Sequence, residues 1–238
     1  SLNDLTDVSD VSDSLYVGNS PANATSNAQY NISLGKTALT SITDGSSNIA
    51  IAYDALTNNT TGYGNIAIGY NSLTTNTTGY YNVAIGTESL NSCSTEHSNT
   101  AIGFKAIENV NQAGNTAIGY MTGQTLQSGY NNVLIGKEAN VSSNSGYNQI
   151  VIGYQAAGQD NNSVTLGNSN VTAVYMASDS GATVYCGGLN IGGTGVTASA
   201  TELNLLSGKT SLVSSLSDLS DVTVSSNKIT LGDNEINA

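Results

Sequence analysis

The sequence predicts an all-β fold: a parallel β-solenoid, or β-roll, of about nine coils of 17 residues. Three observations carry this. A five-residue unit recurs at nearly fixed spacing along more than half of the 238 residues. Its residues alternate as a strand does. The composition is poor in the residues that fill a large globular core, with one Phe, no Trp and two Met, while Gly reaches 26 and Tyr 13. Charged residues make up 9%, against about 25% in an average chain.

The unit is Asn, aliphatic, small, Ile, Gly. It appears as Asn65-Ile66-Ala67-Ile68-Gly69, Asn82-Val83-Ala84-Ile85-Gly86 and Asn99-Thr100-Ala101-Ile102-Gly103, and continues from Asn115 and Asn132. Degenerate copies start at Asn31, Asn48, Gln149 and Ser163. The glycine position falls at 35, 52 (an Ala), 69, 86, 103, 119, 136, 153 and 167. A fixed period of this size is the signature of a stacked repeat, in which each unit completes its core against its neighbours.

Within each unit successive side chains face opposite ways. The aliphatic pair is expected to fill the coil, which makes Ile51, Ile68, Ile85, Ile102, Ile118, Ile135 and Ile152 the candidate coil core. The intervening position, usually Ala, then forms a second apolar face that another chain covers. After the glycine, an often aromatic position, a small residue and an apolar one (Tyr70, Ser72, Leu73) suggest a second strand. Polar tracts with Gly-Tyr pairs supply the turns. Coils stacked at about 4.8 Å give a rod on the order of 40 Å long. Asn31, Asn48, Asn65, Asn82, Asn99, Asn115 and Asn132 then lie in one column, as a ladder of side-chain amides; the alternative for each is a solitary turn residue.

The flanks read differently. Residues 1–30 form a connector in which Leu or Val recurs at every third position ahead of Asp4, Asp7, Asp10 and Asp13, read as solvated acids in preference to a calcium row. Residues 31–170 are the solenoid and 171–197 a β-rich connector, with Val174, Tyr175, Val184 and Tyr185 as strand candidates. Residues 198–238 hold a short helix and the start of a further module. Ser199 and Glu202 have capping-box spacing there, and Gly208 is a stop signal. The opening Leu2-Asn3-Asp4-Leu5-Thr6-Asp7-Val8 is echoed by Leu216-Ser217-Asp218-Leu219-Ser220-Asp221-Val222, which reads as a segment of a longer modular protein.

A net charge of −12 with five basic residues argues against a nucleic-acid partner, which needs clustered Lys and Arg. No apolar run reaches the roughly 20 residues of a membrane span, so no membrane insertion is expected. Cys93 and Cys186 read as unpaired thiols, and with a single His97 they make no zinc motif. No catalytic constellation can be assembled, so no enzyme activity, metal or cofactor is expected.

The tandem Asn-x-Ala-Ile-Gly motif resembles the YadA-like head repeat of trimeric autotransporter adhesins, and equally the repeats of phage tail fibres. The resemblance covers roughly Asn31 to Gly167. It implies a homotrimer in which each chain winds a left-handed β-roll. The coils here are longer than those of adhesin heads. Ser199 to Gly208 resembles a short segment of phage fibres. The expected role is a non-catalytic shaft or head of a viral tail or surface fibre, located on the virion and used for host attachment, with host-surface glycans or proteins as partners. A bacterial trimeric adhesin or extracellular surface fibre is the alternative, and an ice-binding solenoid a lower one.

Overall fold

A branched residue, a small one and a second branched residue favour an extended backbone, and the glycine that follows lets the chain leave it at once. The result is a strand of only three or four residues per coil. The structure, a computed structural model, describes residues 8–18, 20–175, 189–191, 194–196, 222–225, 228–231 and 234–237. The chain forms two units, divided between Val174 and Tyr175.

In the first unit β1 (Val8–Val11) pairs antiparallel with β2 (Ser14–Gly18) through a turn at Ser12 and Asp13. From β2 onward every pairing is parallel: β3 (Ile32–Gly35), β4 (Ile49–Ile51), β5 (Ile66–Ile68), β6 (Val83–Ile85), β7 (Thr100–Ile102), β8 (Thr116–Ile118), β9 (Val133–Ile135), β10 (Gln149–Ile152) and β11 (Ser163–Leu166). Each strand lies in register on the next, as in Ile66 on Val83 and Ala67 on Ala84. The fold is therefore a parallel β-solenoid with about 17 residues per turn, and no described residue is helical. Coiling begins before residue 31, because Leu15 to Gly18 sit one period above Ile32 to Gly35.

The second unit contains a hairpin, β12 (Leu189–Ile191) with β13 (Thr194–Val196), and an antiparallel meander, β14 (Val222–Ser225), β15 (Lys228–Leu231) and β16 (Asn234–Asn237). The expected helix over 199–208 and the strand candidates Val184 and Tyr185 lie outside the described residues. Val174 and Tyr175 are not in strands.

The faces of the solenoid strands are opposite to expectation. Ala50, Ala67, Ala84, Ala101 and Ala117 are fully buried inside the coil. Ile51, Ile68, Ile85, Ile102, Ile118, Ile135 and Ile152 point outward and are not the coil core; Ile118 and Ile152 are each 38% exposed. The reason is width. Across from each alanine the coil is filled by a turn residue, Leu39, Leu56, Leu73, Leu90 or Ile107, all buried. Buried turn residues, such as Leu39 with Ile42 or Ile107 with Val110, already fill most of each coil and leave room for only a small side chain from the strand.

The packing reverses where the turn residue shrinks. One period after Ile107 stands Gly123, and the next coil's strand brings in Leu134, whose Cδ1 would lie 3.1 Å from a Cβ at that glycine. Val151 follows in the same strand column. Large-on-turn, small-on-strand becomes small-on-turn, large-on-strand, so the interior stays filled.

The expected second strand is absent. Leu56, Leu73, Leu90 and Ile107 have φ of 51°, 51°, 48° and 41°, in the left-handed region. The residue two before each (Asp54, Asn71, Glu88, Lys105) and the residue before each column asparagine (Ser47, Tyr81, Ser98, Asn131) are left-handed too. Each coil is thus a short strand closed by tight left-handed turns. The backbone cost, on the order of 1–3 kcal/mol per strained residue, is tolerated because every coil is pinned by those above and below.

Candidate functional site

In a stacked structure the functional surfaces are columns, and each column can be followed residue by residue. The asparagine column is buried at every coil. The Asn48 side-chain amide donates to Asn31 Oδ1 (3.1 Å) and to the Gly62 carbonyl (2.9 Å), while the Asn48 backbone N–H donates to the same Oδ1 (2.9 Å). Asn65 and Asn82 repeat this on the coils below. Asn99 donates its backbone N–H to Asn82 Oδ1 (3.0 Å) and turns its side-chain amide to the Gln112 carbonyl (2.9 Å). Asn115 and Asn132 resume the side-chain ladder. Sequence reasoning missed both ends: Ser14 Oγ accepts from the Asn31 N–H (2.9 Å), and the Gln149 N–H donates to Asn132 Oδ1 (3.0 Å). Extending the 17-residue count by one step each way finds them.

Other columns become visible by the same count. Thr43, Thr60 and Thr77 each donate a hydroxyl hydrogen bond to the carbonyl one coil on, at Thr60, Thr77 and Ser94 (3.1, 3.0 and 3.2 Å). These hydroxyls are occupied along the axis, which counts against a free threonine array of the ice-binding kind. A second, shorter amide ladder joins Asn76 Nδ2 to Asn59 Oδ1 (2.7 Å). It stops because the next residue in the column is Cys93, leaving Asn76 Oδ1 buried without a partner. Cys93 is an unpaired buried thiol, pushed up by burial and by the neighbouring Glu96 carboxylate. Cys186 lies outside the described residues.

The aromatic residues stack in two outer columns. Tyr53 lies on Tyr70 and Phe104 on Tyr120, at 5.7 and 5.2 Å between centroids. Tyr63, Tyr80 and His97 form a continuous stack at 5.0 and 4.7 Å, and Tyr130 lies on Tyr147. Where the first column lacks a ring at Lys137, the ammonium sits 5.6 Å from both Tyr120 and Tyr154, filling the gap by cation–π contact. Rings stacked this way cover one another's faces, while Tyr81 stands edge-on to Tyr63 and Tyr80, at 5.2 and 5.4 Å.

Glu96 stands in the turn column otherwise held by Gly45, Gly62 and Gly79. Its carboxylate accepts from the backbone N–H groups of Ser94 (2.7 Å) and Thr95 (2.9 Å). Partial burial opposes ionisation, but these amide contacts outweigh it and hold the carboxyl below its ordinary value. A depressed carboxyl contributes stability above the unfolded-state value, about 4.3, and that stability is lost as pH falls through the folded-state value. Wild type is therefore expected to exceed Glu96→Gln in denaturant midpoint at pH 7, with the gap shrinking at pH 3. A gap that does not change with pH would refute the assignment.

The remaining surface is the outward strand face. One column runs Leu15, Ile32, Ile49, Ile66, Val83, Thr100, Thr116, Val133, Ile150 and Val164. The other runs Val17, Leu34, the seven isoleucines and Leu166. The face carries no charge and is apolar except at Thr100 and Thr116. Over ten strands it is about 45 Å long.

Among the described residues no group of three or more His, Cys, Asp or Glu could hold a metal. A hollow of about 370 Å³ at the last coil is lined by Gln155, Ala157, Gln159, Thr165, Gly167, Asn168 and Ser169, with no titratable side chain. Asp10 and Asp13 are exposed. No described helix is long and apolar enough to cross a membrane. No known protein family, curated protein or solved structure matches this chain.

Proposed function

We propose that this chain is a non-catalytic shaft segment of a homotrimeric fibre, a viral tail or surface fibre on the virion that holds a host-binding tip away from the particle. The observation that carries this reading is the uncharged, two-column strand face running in register over ten strands. A second copy of the same stack has the same axial repeat, so it keeps step with that face along its whole length. A partner of any other periodicity would fall out of step within a few coils. The strip is two side chains wide, and three such strips closing on a common axis leave no flank of it in water. The resemblance of the repeat and of Ser199–Gly208 to fibre segments supports the count of three and the viral setting. The role of the sister chains follows from the corrected faces: isoleucines, not alanines, meet across the interface.

The test is the mass in solution. Light scattering of the purified chain is expected to give three times 24.2 kDa. Ile68→Lys places a charge in the middle of the face and is expected to yield a monomer that keeps its β circular-dichroism signature, because residue 68 is outside the coil core. A monomeric wild type, or a trimeric Ile68→Lys variant, would count against the interface.

A further inference from the structure

The outward face is nearly uniform along its length, and that raises a problem of register. Each coil presents the same pair of aliphatic side chains, so two copies displaced by one coil bury almost the same surface. Such a face specifies its partner but not its alignment. One feature breaks the uniformity. Thr100 and Thr116 occupy neighbouring coils, directly paired across β7 and β8, with Val83 above and Val133 below in the same column. Ala101 and Ala117 between them point inward, so both threonines point outward. Neither hydroxyl has a hydrogen-bond partner among the described residues. Thr43, Thr60 and Thr77 in the turn column, by contrast, do bond along the axis.

We infer that Thr100 and Thr116 are the register key of the interface between copies of this chain. The inference rests on the trimeric reading above. In a single chain water satisfies both hydroxyls. Once the face is covered, each needs a partner, and the only polar groups on an aligned neighbouring face are the same two threonines. Three copies at equal height bring three Thr100 hydroxyls together, and each can donate to the next around the axis; Thr116 repeats this one coil on. A copy displaced by one coil sets a hydroxyl against Val83 or Val133 and leaves it buried without a partner, which the interior penalises far more than it rewards the bond itself. A single polar site in an otherwise apolar seam fixes alignment in coiled coils for the same reason.

The experiment is self-sorting between full-length chains. Wild type and a chain whose key is moved by two coils (I66T, V83T, T100V, T116V) are co-expressed with different tags, and trimer composition is read by native mass spectrometry. Mixed trimers are expected at least tenfold below the 1:3:3:1 statistical distribution. The T100V/T116V chain, which only removes two outward hydroxyls, is paired with wild type in parallel and is expected to be depleted from mixed trimers in the same sense. It decides the matter if the relocated chain assembles poorly. Statistical mixing in the T100V/T116V pairing would overturn the register role while leaving the trimer intact. Monomers from wild type alone would overturn the trimeric reading, and the register role with it.

Discussion

Gly86→Val is expected to destabilise the solenoid by about 4 kcal/mol or more, read as a loss of denaturant midpoint with unchanged slope. Gly86 has φ 131°, a region closed to branched side chains. A Cβ there would also stand 2.5 Å from the Gly103 carbonyl oxygen and 2.6 Å from its carbon. That carbonyl cannot step aside: Gly103 donates to Ile85 (2.7 Å) and accepts from Ala106 (3.3 Å). The column contains its own calibration, since Ala52 occupies the glycine position at φ 105°. One methyl is therefore survivable, and Ala52→Gly is expected to stabilise by about 1 kcal/mol. If Gly86→Val matches wild type, the close stacking of the glycine column is wrong.

Asn65→Ala is expected to cost about 3 kcal/mol, and Asn65→Asp more at neutral pH. Asn65 Oδ1 accepts from the Asn82 backbone N–H (3.0 Å) and side-chain amide (3.2 Å), and its own amide donates to Asn48 Oδ1 (3.1 Å) and the Gly79 carbonyl (2.8 Å). Alanine leaves the buried Asn82 N–H with no acceptor. Aspartate keeps the acceptor but sets a negative oxygen beside Asn48 Oδ1 and the Gly79 carbonyl, where a donor is required. Such a carboxyl is pushed above its ordinary value, so its deficit should shrink as pH falls and protonation restores a donor. Thermal melts of the two variants at pH 7 and pH 4 check both the order and the trend. Equal cost for both changes at both values would show that the column is a row of independent turns.

The repeat was legible in the sequence because the fold is periodic and the period is written in the side chains. The strand positions, the register and the asparagine column all follow from counting seventeens. The direction of the strand faces did not. Alternation says that Ala84 and Ile85 point opposite ways, but which way is inward depends on what stands across the coil, and that residue is Leu73 or Leu90 in a turn. Leucine with a positive φ is rare enough that Ser72-Leu73 read as a strand. The exchange of Gly123 for bulk at Leu134 was equally hidden, because it couples residues eleven apart through the interior. Lys137 standing in for a ring is readable only once its column is known.

All the axial hydrogen bonds, from the strand backbones and from the amide columns, run parallel to the length of the solenoid. Squeezed end to end, the coils already touch and have nowhere to go. Pulled end to end, they carry the load one boundary after another, and the weakest boundary opens first. Each coil that peels away trades a rise of about 4.8 Å for the contour of 17 residues, roughly 55 Å. Such an element is stiff as a strut and yielding as a tether, absorbing work under tension by paying out slack before its ends let go.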